Sequence, residues 1–272
     1  VTRACAAVGL FSNARKVLQT IHEDTLAERS GQVFRGVRRA TLQVDDELIS
    51  GLHRAVLKSA AEQGNITYAL MIAEDIQAFD GECKWGQSET VTTDETISWS
   101  EVNTEGDILP PTAFSGDSPY VATNDRMGMG ALEWIYILQA ASISGHWKVC
   151  INTLQFLRPY LRAIHPDRIG RKDGIEKANA EHKLLSKGLV AATKCFAVRS
   201  QYGWAVRAIE DWIEWSGRRP PKQAVHASVR ILSARGRGDE VYRLIANCLQ
   251  PGVQDPTRDG KAYEVTLYVN AI

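Results

Sequence analysis

Three carboxylates in the C-terminal third of the chain come closest to a catalytic arrangement. Glu210, Asp211 and Glu214 stand at helical spacing, and two neighbouring carboxylates can share general acid and base work when their pKa values differ. Side chains three and four residues apart on a helix more often pair with nearby basic residues on its exposed surface. We therefore expect exposed ion pairs rather than a catalytic dyad. The arginines expected to pair with these carboxylates are Arg207, Arg218 and Arg219.

No other segment carries a recognisable catalytic or metal-binding pattern. The sequence lacks a nucleotide-binding glycine loop, a phosphate loop, a His-Glu-x-x-His motif and a Gly-x-Ser-x-Gly motif. The six histidines show no ligand spacing with one another or with the five cysteines, which form no CxxC pair. Cys5, Cys150 and Cys248 are expected to be reduced thiols in small core positions. The sequence predicts a protein that is not an enzyme and needs no cofactor.

Charge is unevenly distributed along a chain of 272 residues whose net charge is zero. From Glu74 to Asp125 there are 12 acidic residues and one basic residue, Lys84. This stretch is rich in Gly, Pro, Ser and Thr, a composition that cannot offset the entropy of ordering, so an acidic flexible insertion is predicted over 80–125. It would be a solvated linker or a docking segment for a basic partner. Because the chain starts with Val1 rather than Met, we expect a fragment or a processed product.

Outside the insertion, apolar residues recur at spacings of three and four, which predicts amphipathic helices and an all-α fold. No apolar run approaches 18 residues, so no membrane span is expected. Five short turns share one pattern, counted from the central residue of each turn. A small residue stands three positions before it, a small or modest residue five positions after it, and an apolar residue twelve positions after it. The turns are centred at Gly9, Gly64, Gly145, Ser200 and Gly236.

Small residues beside a turn let two antiparallel helices approach closely, and larger residues further along fill the space between neighbouring hairpins. The pattern therefore predicts helical hairpins stacked as an α-solenoid. N-terminal helical repeats would occupy 1–79 and C-terminal helical repeats 126–250. A tail would follow over 251–272.

The clearest hairpins lie at about 200–250. There, a predicted second helix ends in Gly217-Arg218-Arg219-Pro220. This resembles the pentatricopeptide repeat, whose second helix ends in a Gly, a basic residue and a Pro. The resemblance implies an organellar, most simply mitochondrial, protein acting in RNA binding, translation or a ribonucleoprotein such as the mitochondrial ribosome. Tetratricopeptide repeats share the turn spacing and imply instead a protein scaffold or an accessory subunit of a large mitochondrial complex.

Pentatricopeptide proteins bind RNA on the face made by their first helices. Counting back from the last four turns places twelve residues on that face, of which five are Lys or Arg and none is acidic. Basic side chains suit phosphate contacts. Ile135 and Val190 stand where bases would be read, and neither can hydrogen-bond a base edge, so backbone binding without sequence specificity is expected. A solvated helix face is the alternative. The expected RNA or partner contacts are Arg54, Lys58, Lys187, Lys194, His226 and Arg230.

A third hypothesis comes from the tripeptide His165-Pro166-Asp167, which lies between two predicted helices, the second from about 175 to 197. It resembles the loop by which J-domain co-chaperones stimulate the ATPase of their heat-shock chaperone partner. The same residues also make a simple helix stop, because proline cannot extend the helix and Asp167 favours a turn.

Overall fold

The computed structural model describes residues 1–29, 46–85, 129–169 and 172–249. These ranges form α-helices joined by short connections, and no strand lies among them, so the predicted all-α class is confirmed. A 3₁₀ turn, Pro166–Arg168, lies between the seventh and eighth helices. The helices are α1 (Thr2–Ala7), α2 (Phe11–Arg29), α3 (Asp46–Glu62), α4 (Ile66–Trp85), α5 (Ala131–Ser144), α6 (Trp147–Phe156), α7 (Arg158–Ala163), α8 (Lys172–Val198), α9 (Tyr202–Ser216), α10 (Lys222–Ala234) and α11 (Gly238–Cys248).

All five predicted turns are confirmed as helix-to-helix corners. The residue at each corner has a left-handed backbone, with φ between 58° at Ser200 and 82° at Gly9. Glycine adopts this conformation without the steric cost of a Cβ, and Ser200 is the one other residue that does so among those described. The next N–H donates to the carbonyl four residues before the corner, which is the longer bond of a Schellman motif.

The residue five positions after each corner is buried, as its small or modest size predicts: Ala14, Ala69, Cys150, Ala205 and Val241. Its N–H donates to the carbonyl of the residue just after the corner, so it lies in the first turn of the second helix. The residue three positions before each corner varies more in its exposure. Ala6 and Ala61 are buried, whereas Ser233 is exposed.

Consecutive hairpins contact one another through their first helices. Helix α1 packs on α3, α3 on α5, α5 on α8, and α8 on α10. The second helices of neighbouring hairpins also meet, α2 with α4 and α9 with α11. Helix α7 and the 3₁₀ turn lie between the third and fourth hairpins in the chain, and α7 packs on α9. The first helices are therefore neighbours in chain order.

Corners of successive hairpins also touch. Each later corner contacts the preceding one through a side chain one or two residues before its own turn residue. Two of these side chains donate hydrogen bonds to carbonyls at the end of the preceding first helix, one packs against the turn glycine, and one places a guanidinium over a ring. The pairs are Gln63 with Ala6, Ile143 with Gly64, Arg199 with Gly145, and Arg235 with Tyr202.

Helix α4 continues to Trp85, past residue 80, where the sequence predicts the start of the acidic insertion. Residues 66–85 contain no proline and a single glycine, Gly81, and one glycine costs a helix only about 1 kcal/mol. The acidic residues before this end are thus part of a helix. Residues 86–125 of the predicted insertion, 30–45 of the N-terminal repeats and the tail at 251–272 lie outside the described residues.

Candidate functional site

Helix α8 presents a row of exposed lysines. Lys187 and Lys194, both predicted contact residues, are exposed, and so is Lys183, which the sequence analysis did not single out. Separations of four and seven residues place the three within about 40° of one another around the helix. The opposite side of α8 is buried in the core, so the three lysines lie on the side of the helix that faces solvent. Its buried side includes Leu185, Leu189, Ala192 and Phe196.

The three lysines of this row are uncompensated, whereas Lys177, on another side of α8, lies 4.0 Å from Oε1 of Glu181. None of the three has an ion-pair or hydrogen-bond partner within the part of the chain that the structure describes. Val190 is half-buried and lies on the same side of the helix, between Lys187 and Lys194. This side of α8 therefore offers three positive charges and some aliphatic surface, which suits an anionic polymer better than a neutral ligand.

The two predicted contacts on α3 have a different environment. Arg54 donates from Nε to Oε1 of Glu133 on α5, a carboxylate that is itself 5% exposed. Lys58 lies 3.7 Å from Oε1 of Glu62, one turn along the same helix. Both basic groups are thus paired with carboxylates. Sequence analysis did not identify Glu133 as a neighbour of these residues. Glu133 meets Arg54 only because α5 packs on α3.

Ile135 is not on the exposed face, and its predicted place there was wrong. It is 1% exposed, and its Cγ1 would lie 3.3 Å from a Cβ added at Gly188 of α8. The physical reason is close helix packing: Gly188 lets α5 approach α8, and the apolar Ile135 fills the interface.

On α10, Arg230 is exposed, as its predicted contact role requires. His226 is half-buried, and its Nε2 is buried without a hydrogen-bond partner among the described residues. Of these two predicted contacts, Arg230 is the one whose charged group is open to a ligand.

The His165 loop is packed against the connection between α9 and α10. Nδ1 of His165 accepts a 3.3 Å hydrogen bond from the N–H of Asp167, which caps the 3₁₀ turn that starts at Pro166. The imidazole lies against Gly217, where an added Cβ would be 2.5 Å from Nε2. The carboxylate of Asp167 is exposed. The histidine is therefore engaged within the protein, and the aspartate is accessible.

Arg218 holds the neighbouring connection in place. It is 3% exposed, and it donates from Nε to the carbonyl of Ile164 at 2.9 Å and from Nη1 to Oδ1 of Asn179 at 2.8 Å. Burial lowers the pKa of its guanidinium. The basic residue that matched the pentatricopeptide repeat end is thus a buried link between α7, α8 and the end of α9.

The carboxylates of α9 form one of the ion pairs that their spacing predicts, between Arg207 and Asp211, but that carboxylate is buried rather than exposed. Asp211 is 8% exposed, with Oδ1 2.8 Å from Nε of Arg207, whereas Arg218 points elsewhere. Burial raises the pKa of Asp211 to about 6, and the charge of Arg207 partly opposes that rise. Glu210 instead lies 3.4 Å from Arg243 on α11. The two carboxylates have separate partners because Asp211 pairs within α9, whereas Glu210 reaches α11, which packs on α9.

Four cysteines, Cys5, Cys150, Cys195 and Cys248, are free thiols. Cys150 and Cys248 are buried, as predicted, and Cys5 is partly exposed. The sequence analysis did not place Cys195 among the core residues. It is buried on α8, and its contact with Cys150, together with burial, raises the pKa of the Cys150 thiol. Among the described residues, no three His, Cys, Asp or Glu side chains are grouped to hold a metal ion.

None of the described helices combines the length and apolar character needed to cross a bilayer. No protein-family model, no curated protein and no solved structure matches the chain.

Proposed function

We propose that this chain is a non-catalytic, pentatricopeptide-like protein whose hairpins stack as an α-solenoid and whose first helices bind single-stranded RNA through its phosphates. The packing of α1, α3, α5, α8 and α10 as successive neighbours supports the stacking. The proposed setting is an organelle, most simply the mitochondrion, in translation or in a ribonucleoprotein such as the mitochondrial ribosome.

The observation that carries the proposal is the row of uncompensated lysines on α8, where Lys187 and Lys194 are exposed. Lysine binds phosphate as a point charge, and each phosphate that it neutralises releases condensed counterions. Binding of this kind needs no hydrogen bonds to base edges. It agrees with the aliphatic Val190 that lies between the two lysines.

A protein scaffold is the second candidate, favoured by exposed apolar side chains at the corners. Val8, Ile143 and Val198 are 72%, 62% and 78% exposed, and each lies one or two residues before a turn residue. Such side chains suit contact with another protein in a large assembly. The RNA proposal takes precedence because Lys183, Lys187 and Lys194 carry uncompensated charge.

The two functions are separated by the salt dependence of RNA binding. Fluorescence anisotropy with a labelled single-stranded RNA of mixed sequence would compare the native chain with the Lys187→Glu, Lys194→Glu double variant. We expect the variant to lose about tenfold or more in affinity at about 0.1 M salt and to show a shallower salt dependence.

A matched control reverses two exposed basic residues that lie outside the first helices, Lys16→Glu with Arg168→Glu. It makes the same change in net charge and should alter RNA affinity far less. RNA binding that is absent, or that does not depend on salt, would exclude the RNA function and favour the scaffold. Equal losses in both double variants would show a general charge effect rather than a site on α8.

A further inference from the structure

The basic residues of the first helices differ in whether a nearby carboxylate neutralises their charge. We infer that the phosphate-binding track runs along the axis of α8, through Lys183, Lys187 and Lys194, rather than across the first helices. This inference rests on the proposed function and narrows it: the ligand is a short stretch of single-stranded RNA backbone, held by about three phosphate contacts.

The geometry of α8 supports a track along the helix. At a rise of about 1.5 Å per residue, Lys183 and Lys187 are about 6 Å apart along the axis, and Lys187 and Lys194 about 10.5 Å. All three are exposed on one side of the helix. A polymer with repeating negative charges can meet them in succession without leaving α8.

Helix α3 cannot contribute equally, because both of its predicted contacts are already paired. The carboxylate of Glu133 is nearly buried and depends on Arg54, so drawing Arg54 toward a phosphate would leave an uncompensated buried charge. Lys58 is close to Glu62. A phosphate arriving at α3 therefore meets two ion pairs with no net charge, and it would displace few counterions.

The neighbouring residues limit the track at both ends. Glu176 is exposed and lies within the same angular range of α8, two turns before Lys183, where it would repel a phosphate. At the other end, Arg199 directs its guanidinium to the carbonyls of Gly145 and Ser144. The positive charge is thereby confined to the segment from Lys183 to Lys194.

Single lysine-to-glutamine variants test the inference in the same anisotropy titrations. The native chain should show a log-log salt slope of about −2, since each phosphate contact on a single strand contributes about −0.7. Lys183→Gln, Lys187→Gln and Lys194→Gln should each make the slope shallower by about 0.7. Each should also weaken binding about fivefold at 0.1 M salt.

The matched control is Lys58→Gln, which alters an exposed lysine on another first helix and should change neither slope nor affinity. An effect of Lys58→Gln as large as that of Lys187→Gln, or no effect of Lys183→Gln, would overturn the track along α8 while leaving RNA binding intact. A native chain that fails to bind RNA would remove both proposals. Salt-dependent binding to polyglutamate without RNA binding would assign the lysines to an acidic protein partner.

Discussion

Arg199 donates from Nε to the carbonyl oxygen of Gly145 at 2.9 Å, and this bond joins the corner of the fourth hairpin to that of the third. Gln63 makes the equivalent contact between the first two corners, from Nε2 to the carbonyl of Ala6 at 3.0 Å. Both side chains lie immediately before a left-handed residue. Each adds a second donor to a carbonyl that already accepts a backbone N–H, from Gly9 at Ala6 and from Trp147 at Gly145. The two bonds link the corners of neighbouring hairpins.

Removing the Arg199 contact should weaken the fold modestly. For Arg199→Ala we expect a loss of about 1 kcal/mol in the free energy of unfolding, because the bond is charge-assisted but exposed to solvent. Urea denaturation followed by circular dichroism measures this change. Arg230→Ala, which removes an exposed arginine without a partner among the described residues, should change stability by less than about 0.5 kcal/mol. Equal effects would show that the corner bond contributes nothing.

Alanine substitutions at two corner glycines distinguish the cost of backbone strain from that of a steric clash. Gly64 and Gly236 have φ of +67° and +68°, so alanine at either is strained by about 1 kcal/mol. A Cβ at Gly64 would also lie 2.3 Å from Cγ2 of Ile143, whereas nothing lies within 4 Å at Gly236. Gly64→Ala should therefore lower the free energy of unfolding clearly more than Gly236→Ala does, as measured by urea denaturation.

Ile143→Ala tests the cause of that difference. In the Gly64→Ala background it should recover the part of the loss due to the clash, because Cγ2 is removed. In the Gly236→Ala background it should have the same effect as in the native chain. A double-mutant cycle with no coupling between positions 64 and 143 would show that the corners do not touch in solution.

Substitution of Arg218, which is buried just after the end of α9, should lower the free energy of unfolding strongly. Arg218→Met keeps the aliphatic stem but leaves the carbonyl of Ile164 and the amide of Asn179 without their donor, so we expect a loss of about 2–3 kcal/mol. Arg218→Lys should also destabilise, because an ammonium lacks the planar fork that reaches both acceptors. Urea denaturation that shows Arg218→Met to be as stable as the native chain would contradict the role of these bonds.

Asp211 should make stability depend on pH. Its pKa is about 6 in the folded chain, against an ordinary value of 3.8, so the folded state binds the proton more tightly than the unfolded state. The associated stabilisation is present below about pH 4 and is lost as the pH rises through 6. Its size is on the order of 3 kcal/mol.

Denaturation at several pH values tests this dependence. Asp211→Asn should flatten the pH dependence of unfolding between pH 4 and 6, since no proton binds at that position. Arg207→Gln should move the upper end of the window to higher pH, because Arg207 opposes the rise of the Asp211 pKa. An unchanged pH profile in Asp211→Asn would place the carboxylate in water.

The corners were predictable because their causes are local. A glycine tolerates a left-handed backbone, and a small residue five positions later permits close approach, so Gly9, Gly64, Gly145 and Gly236 could be placed from neighbouring residues. The exposed positions of Lys187 and Lys194 follow equally from helical periodicity. The helices and their turns therefore come from short-range patterns of residue size and polarity.

Short-range patterns could not show which basic residues of the predicted face are neutralised by a carboxylate. Arg54 and Glu133 are 79 residues apart and meet only where α3 and α5 pack. Burial of Asp211 and Arg218 likewise depends on which helices cover α9 and its C-terminal end. Electrostatic compensation and desolvation arise between elements distant in the chain, and periodicity within one helix carries no information about them.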